Sequence, residues 1–154
     1  MPILDFNNKE EVKEYEEYIL NHVGTSFMQD LNWGKVKNNW KQEAIYIKEN
    51  GKIVAAMMLL IQNLPHTKTA LIYSPRGPVC DVYDIELVNK LIKEADGIAK
   101  KYNAFALKFD PQVVFDKKLD DMYLKAGYKT SGFKPNLDDL IQPSHNMVLN
   151  IDSK

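Results

Sequence analysis

The chain has 154 residues, with Lys+Arg 20 against Asp+Glu 21, a formal net charge of −1 and 45% hydrophobic residues. That is room for one domain of ordinary size with its own core, and the near-neutral balance excludes the broad basic field that attracts nucleic acid unaided. The single cysteine, Cys80, excludes an internal disulfide and fits a reducing cytosol.

Residues 7–23, NNKEEVKEYEEYILNHV, carry Val12, Tyr15, Ile19 and Val23 at three- and four-residue steps, the period of an amphipathic helix. Asn7 or Asn8 caps it, Glu10 and Glu11 suit the positive end of its dipole, and Gly24 ends it. Residues 26–40, SFMQDLNWGKVKNNW, predict a second helix capped by Ser26, with Leu31, Val36 and Trp40 on one face and Trp33 nearby. Residues 43–62, EAIYIKENGKIVAAMMLLIQ, are two β-rich runs joined by Asn50-Gly51, a pair that accepts the positive φ angles of a type I′ hairpin. The longest apolar run lies here, from Ile53 to Ile61, well short of the roughly 20 residues of a spanning helix. The start of the chain also lacks a basic segment followed by an apolar one, so no signal peptide is expected.

Residues 68–75, KTALIYSP, supply a third strand, expected to stop at Pro75 because proline cannot donate to a ladder. Residues 84–102 form a long helix with a stripe of Ile85, Val88, Ile92, Ala95 and Ala99, widened by Leu91 and Ile98. AFALKFDP, residues 104–111, is a strand with Phe105, Leu107 and Phe109 on one face. Residues 115–128 hold a short helix through Leu119, Met122, Tyr123 and Ala126, closed by Gly127. A looser stretch, 129–145, leads to a final strand, NMVLNI, at 146–151. This order predicts a single domain, α/β (α+β), built on a mixed twisted sheet flanked by helices. The third strand and the 104–111 strand should run parallel through a right-handed helical crossover.

Arg76, in the turn Ser-Pro-Arg-Gly-Pro, is the only arginine in the chain. Arginine offers a planar five-donor fork that lysine cannot imitate. Two uses of it stand open, a ligand contact or a brace that donates to the carbonyls of its own turn.

The order of elements resembles the GNAT (acyl-CoA N-acyltransferase) fold, in which the turn before the long helix holds the diphosphate of acetyl-CoA on bare backbone amides. The motif there reads Arg or Gln, two residues, Gly, one residue, then Gly or Ala. Here Arg76 is followed by Gly77, Pro78, Val79, Cys80 and Asp81. Two prolines remove amide donors, and Asp81 or Asp84 at the helix start opposes a phosphate. No acetyl-CoA is therefore expected.

A narrower resemblance runs through nearly the whole chain. SFMQDLNWGKVKNNW (26–40), GKIVAAMMLLIQNLP (51–65), LIYSPRGPV (71–79), LKFDPQV (107–113) and GFKPNLDDLIQPSHNMVLNI (132–151) fall in the order and spacing of the FemABX family. These are the peptidoglycan bridge-forming aminoacyltransferases, lipid II:glycine glycyltransferases among them. The resemblance implies transfer of an amino acid from aminoacyl-tRNA to the stem-peptide amine of a muramyl-peptide precursor or lipid II, without metal or cofactor. Family members carry two GNAT-like domains in tandem, and residues 1–154 resemble the first. The second domain, which would take most of the tRNA contact, is expected to be absent, leaving an acceptor-binding half that is inactive alone. A cytoplasmic place follows, at the inner face of the membrane where such precursors are assembled. A lone half also implies self-association through its uncovered face.

The resemblance implies substrate contacts at Lys37, Trp33, Arg76 and Tyr73. Lys37 matches a lysine that meets the acceptor's phosphates, although a solvated face shared with Lys35 and Lys41 is the plain alternative. Arg76 looks more like a fixer of loop geometry. Asp110, before Pro111, fits either a base toward an amine or a cap on the following turn. Trp33, Trp40, Phe27 and Tyr73 read as core or cleft wall rather than as a stacking platform. Cys80, near a helix start, has no histidine in a nucleophile–base pattern with it, and His22, His66 and His145 show no metal spacing. The catalytic residues stay unassigned. Two further classes remain as alternatives, a stand-alone N-acetyltransferase and a noncatalytic interaction module.

Overall fold

The hairpin is the organising element. In the computed structural model, which describes residues 3–131, β1 (Lys41–Glu49) and β2 (Lys52–Asn63) pair antiparallel from Lys41↔Ile61 to Glu49↔Lys52. Their turn residues Asn50 and Gly51 take φ of 51° and 79°, the left-handed region that this two-residue loop demands. β2 is buried almost end to end, from Ala55 to Ile61. Both of its faces are covered, which explains an unbroken apolar run where an exposed strand would alternate.

β3 (Ala70–Arg76) pairs antiparallel with β2 from Asn63↔Ala70 to Leu60↔Tyr73. β4 (Ala104–Pro111) pairs parallel with β3 from Ala70↔Ala104 to Arg76↔Pro111, as expected, giving the order β1-β2-β3-β4. Pro75 does not end β3. It lies where β2 and β3 part company, and a bulge needs no N–H from it.

Helix α1 (Lys9–Asn21) starts at Asn8, whose side chain accepts from the Glu11 N–H, and buries Tyr15 and Ile19. Its stripe stops short of the expected end, because the helix closes at His22 and Val23 is fully exposed. The predicted second helix is two pieces. Ser26 caps a 3-10 turn, Phe27–Gln29, and Asp30 then caps α2 (Leu31–Val36) at the Asn32 N–H. An acceptor side chain at Asp30 restarts the winding, so Val36 ends α2 exposed and Trp40 falls beyond it. Tyr15, Ile19 and Leu31 meet Ala44, Tyr46, Ala56, Met58 and Leu60 in one core cluster, with Trp33 and Trp40 partly buried against it.

Helix α3 (Ile85–Lys101), capped by Asp84, packs on β1, β2 and β4. It buries Leu87, Val88, Leu91, Ala95 and Ile98, a stripe turned slightly from the one expected, since Ile92 and Ala99 are only partly covered. Each large side chain so buried is worth about 1.5–3 kcal/mol, enough to seat the crossover. Beneath its end the buried Glu43 of β1 accepts from the Lys101 ammonium at 2.7 Å and the Tyr102 hydroxyl at 2.7 Å.

The chain divides into two compact units, residues 1–114 and 115–154. In the second, α4 (Lys117–Lys125) is capped by Asp116 and buries Leu119 and Tyr123. It ends with Gly127 at φ 92°, where the N–H groups of Gly127 and Tyr128 return to the carbonyls of Leu124 and Tyr123. The expected final strand at 146–151 and His145 lie outside the described residues.

Candidate functional site

The C-terminal end of β3 carries the arginine turn. Arg76 itself sits at φ 57°, a left-handed backbone that costs a non-glycine residue about 1–2 kcal/mol. What holds it there is Asp110 on the neighbouring β4. One carboxylate oxygen, Oδ1, accepts from the Arg76 backbone N–H at 2.9 Å and from the Tyr73 hydroxyl at 3.1 Å. Asp110 therefore does not cap the turn that follows it, one of its two expected roles, but reaches back across the sheet. Burial raises its pKa from the ordinary carboxylate value, opposed by those two hydrogen bonds and by the positive charge of Arg76.

Beyond Arg76 the peptide Gly77–Pro78 is cis, and Val79 rejoins β2 by exchanging both backbone bonds with Ala56. The Tyr18 hydroxyl of α1 shares its proton between the carbonyls of Val54 at 2.7 Å and Val79 at 3.0 Å, pinning the turn from above. Several amides leading into α3 are also bonded within the chain. Tyr83 N–H donates to Asp81 Oδ1 at 2.9 Å, Asp84 N–H to the Asp81 carbonyl at 3.1 Å, and Leu87 N–H to Asp84 Oδ1 at 3.0 Å. Cys80 is buried here, and burial, with Asp81 and Asp84 alongside, pushes its thiol up to about 12. It stays protonated and is no nucleophile.

A second group lies on the 26–37 segment. Lys37 closes α2 with its ammonium 5.3 Å from the centre of the Trp33 ring. The Phe27 ring meets Trp33 edge-on, centroids 5.2 Å apart. Of the two places expected for Phe27, core or cleft wall, the core is excluded, since 67% of it is exposed. The three lysines expected to share one face separate. Lys35 donates to Asn32 Oδ1 at 2.7 Å, and the Lys41 ammonium lies 5.3 Å from the Tyr102 ring, leaving Lys37 with the tryptophan.

One residue joins the two groups, and nothing in the sequence pattern marked it. Gln29, at the end of the 3-10 turn, is fully buried. Its Oε1 accepts from the Met58 N–H at 2.8 Å, while its Nε2 donates to the Pro75 carbonyl at 2.6 Å and to Ser74 Oγ at 3.1 Å. Gly77 is required by this packing. A Cβ there would stand 2.3 Å from Ser74 Oγ and 2.8 Å from Gln29 Nε2. The four residues expected to bind substrate thus fall into two pairs, Tyr73 with Arg76 through Asp110, and Trp33 with Lys37, bridged by Gln29.

His22 accepts from the Gly24 N–H at 3.0 Å and is held below its usual pKa by partial burial. Among the described residues no group of His, Cys, Asp and Glu is placed to hold a metal ion.

Such a strand order, with a long helix crossing between parallel strands, defines an acyl-CoA N-acyltransferase-like fold. A ribosomal-protein-alanine N-acetyltransferase from Brucella melitensis biovar Abortus 2308 shares it at a TM-score of 0.52 over 83% of this chain and 93% of that one, with 10% identity. The particular branch is set by sequence: the chain belongs to the FemAB family, whose model matches residues 11–154. It is 35% identical to the UDP-N-acetylmuramoylpentapeptide-lysine N(6)-alanyltransferase of Weissella viridescens, over 98% of this chain and 46% of that protein. It is 34% identical to a lipid II:glycine glycyltransferase of Staphylococcus aureus, over 91% of this chain and 34% of that protein. The crystal structure of FemX superposes at a TM-score of 0.78 with 30% identity, over 93% of this chain and 36% of that one. The chain therefore spans between a third and a half of the length of these relatives.

Proposed function

We propose that this chain is the first, acceptor-binding domain of a peptidoglycan bridge-forming aminoacyltransferase, and that Lys37 holds the diphosphate of a muramyl-peptide precursor. The relatives named for muramoylpentapeptide and lipid II support the substrate class. The observation that carries the site is the exposed Lys37 ammonium over the partly buried Trp33 ring, beside an arginine turn whose Arg76 and Val79 amides are already bonded inside the chain. An ammonium over a partly exposed ring is worth only about 1 kcal/mol, and a charge-assisted bond to a phosphate about 1.5–3 kcal/mol. Lys37 is thus able to leave Trp33 for an anion, while the open part of the Trp33 ring supplies a flat wall for the sugar.

The acyl group arrives on aminoacyl-tRNA rather than coenzyme A. A CoA diphosphate at the start of α3 would meet the carboxylates of Asp81 and Asp84, which already take the Tyr83 and Leu87 amides. In the transfer, the stem-peptide amine forms an amide bond to the aminoacyl carbonyl carbon as the ester bond to the tRNA ribose breaks. The amine gives up a proton and the ribose oxygen takes one. Alignment supplies most of the acceleration for so activated an ester. A net charge of −1 supports the tRNA being held mainly by a second domain, and weak tRNA retention by these 154 residues in filter binding is the expected result.

The substrate class of the relatives supports a cytoplasmic place at the inner membrane face. No helix among the described residues is long and apolar enough to cross a membrane, but Phe27 and Val36 are exposed beside Lys37. Sedimentation with anionic vesicles, lost in Phe27→Ser, tests that placement. Exposed Phe105 on β4 and Val113 and Val114 after it favour cover by a second domain or a second copy, which sedimentation equilibrium would register.

Calorimetry with UDP-linked muramyl pentapeptide tests the central reading. Wild type should bind and Lys37→Ala should bind at least about tenfold more weakly, the loss of one charge-assisted bond. Equal affinities would remove Lys37 from the site, and stabilisation of the fold by acetyl-CoA would overturn the choice of donor.

A further inference from the structure

β2 and β3 do not run together to the end. They pair as far as Leu60↔Tyr73 and meet again only at Ala56↔Val79, so the β3 side carries more chain across the gap than the β2 side does. In that gap Met58 has no strand partner for its N–H, and Pro75 offers a carbonyl but no N–H. A buried, unanswered backbone group costs about 1–3 kcal/mol. The side-chain amide of Gln29 answers both, accepting from Met58 at 2.8 Å and donating to Pro75 at 2.6 Å. It has the same donor and acceptor as a peptide unit, inserted edgewise into the sheet.

We propose that Gln29 is the positioning residue of the acceptor site, a surrogate peptide that locks the Phe27–Lys37 segment to the turn carrying Arg76. The inference rests on the reading of Lys37 given above. Gln29 lies two residues from Phe27, whose ring abuts Trp33, and Trp33 carries the Lys37 ammonium. On the other side its bonds end on Ser74 and Pro75, directly before Arg76. With the amide removed, the two halves keep their own local contacts but lose their fixed relation. The same argument explains Gly77, where a methyl group would displace the Gln29 amide without changing any residue that touches substrate.

Gln29→Met matches the volume and removes both bonds. Gly77→Ala leaves the amide chemistry intact but pushes it aside. Calorimetry of the 154-residue chain with UDP-linked muramyl pentapeptide separates position from stability, because unfolded protein lowers the stoichiometry while a misplaced Lys37 raises the Kd. Both variants should raise the Kd about tenfold at near-unchanged stoichiometry, the equivalent of about 1.4 kcal/mol. Ser74→Ala, which keeps the bonds to Met58 and Pro75, should stay within about twofold of wild type. In a Lys37→Ala background, Gln29→Met should add no more than about twofold, because its effect passes through Lys37. A wild-type Kd in either variant, lost stoichiometry at unchanged Kd, or multiplying effects of Gln29→Met and Lys37→Ala would overturn the proposal. Failure of both variants to fold would assign Gln29 to stability alone and overturn it too. Should wild type and Lys37→Ala bind alike, the acceptor reading falls first and takes this inference with it.

Discussion

Asp110 is the residue whose replacement most sharply tests the account of the arginine turn. Its Oδ1 accepts from the Arg76 N–H at 2.9 Å and the Tyr73 hydroxyl at 3.1 Å, so Asp110→Ala withdraws one acceptor from two donors that are largely shielded from water. The Arg76 backbone, at φ 57°, also loses the bond that keeps it in a left-handed conformation. Stranding a buried donor costs about 1–3 kcal/mol, which puts the loss at about 2–3 kcal/mol once partial exposure is allowed for. Asp110→Asn keeps a carbonyl oxygen in the same place and loses only the charge, so it should cost less than about 1 kcal/mol. Urea unfolding followed by the fluorescence of Trp33 and Trp40 reports both values. If the alanine variant were less than about 0.5 kcal/mol from wild type, or the asparagine variant as damaging as alanine, Asp110 would not be what holds the turn.

The same carboxyl has a pH signature. Because burial raises its folded pKa, Asp110 contributes stability that is fully present below its unfolded pKa and lost as pH rises through the folded value. Wild type should therefore gain stability relative to Asp110→Asn on acidification through that window, and a parallel pH profile for the two would refute the assignment. Cys80, buried with its thiol pushed up to about 12, should react with iodoacetamide at pH 8 only after denaturation, and rapid native alkylation would contradict its burial. Cys80→Ser should leave precursor affinity unchanged.

Much of the fold was legible before any coordinates, and for local reasons. Asn50-Gly51 between two β-rich runs admits one turn, Asn8 is a cap residue where a cap was needed, and Gly127 closes a helix that had to end. The motifs around Lys37 and Arg76 pointed to the right family, and the four candidate contacts, named there as one set, are sorted by the fold into two pairs. Local signals failed where a distant partner decided the outcome. Pro75 reads as a strand end unless Gln29 is known to fill the gap beside it, and Asp110 reads as a cap unless β4 is known to lie against Arg76. The second helix breaks at Asp30, whose side chain competes with continuation in a way that hydrophobic period does not register.

Covalent order and short-range chemistry were thus sufficient for the turns, the caps, the parallel crossover and the kinship, since each depends on residues a few positions apart or on spacing alone. The union of Lys37 with Arg76 through a buried glutamine was decided by tertiary structure only. Gln29 and Ser74 stand 45 positions apart, and an amide that serves as a missing peptide unit has no pattern of its own until two strands separate and leave it a place.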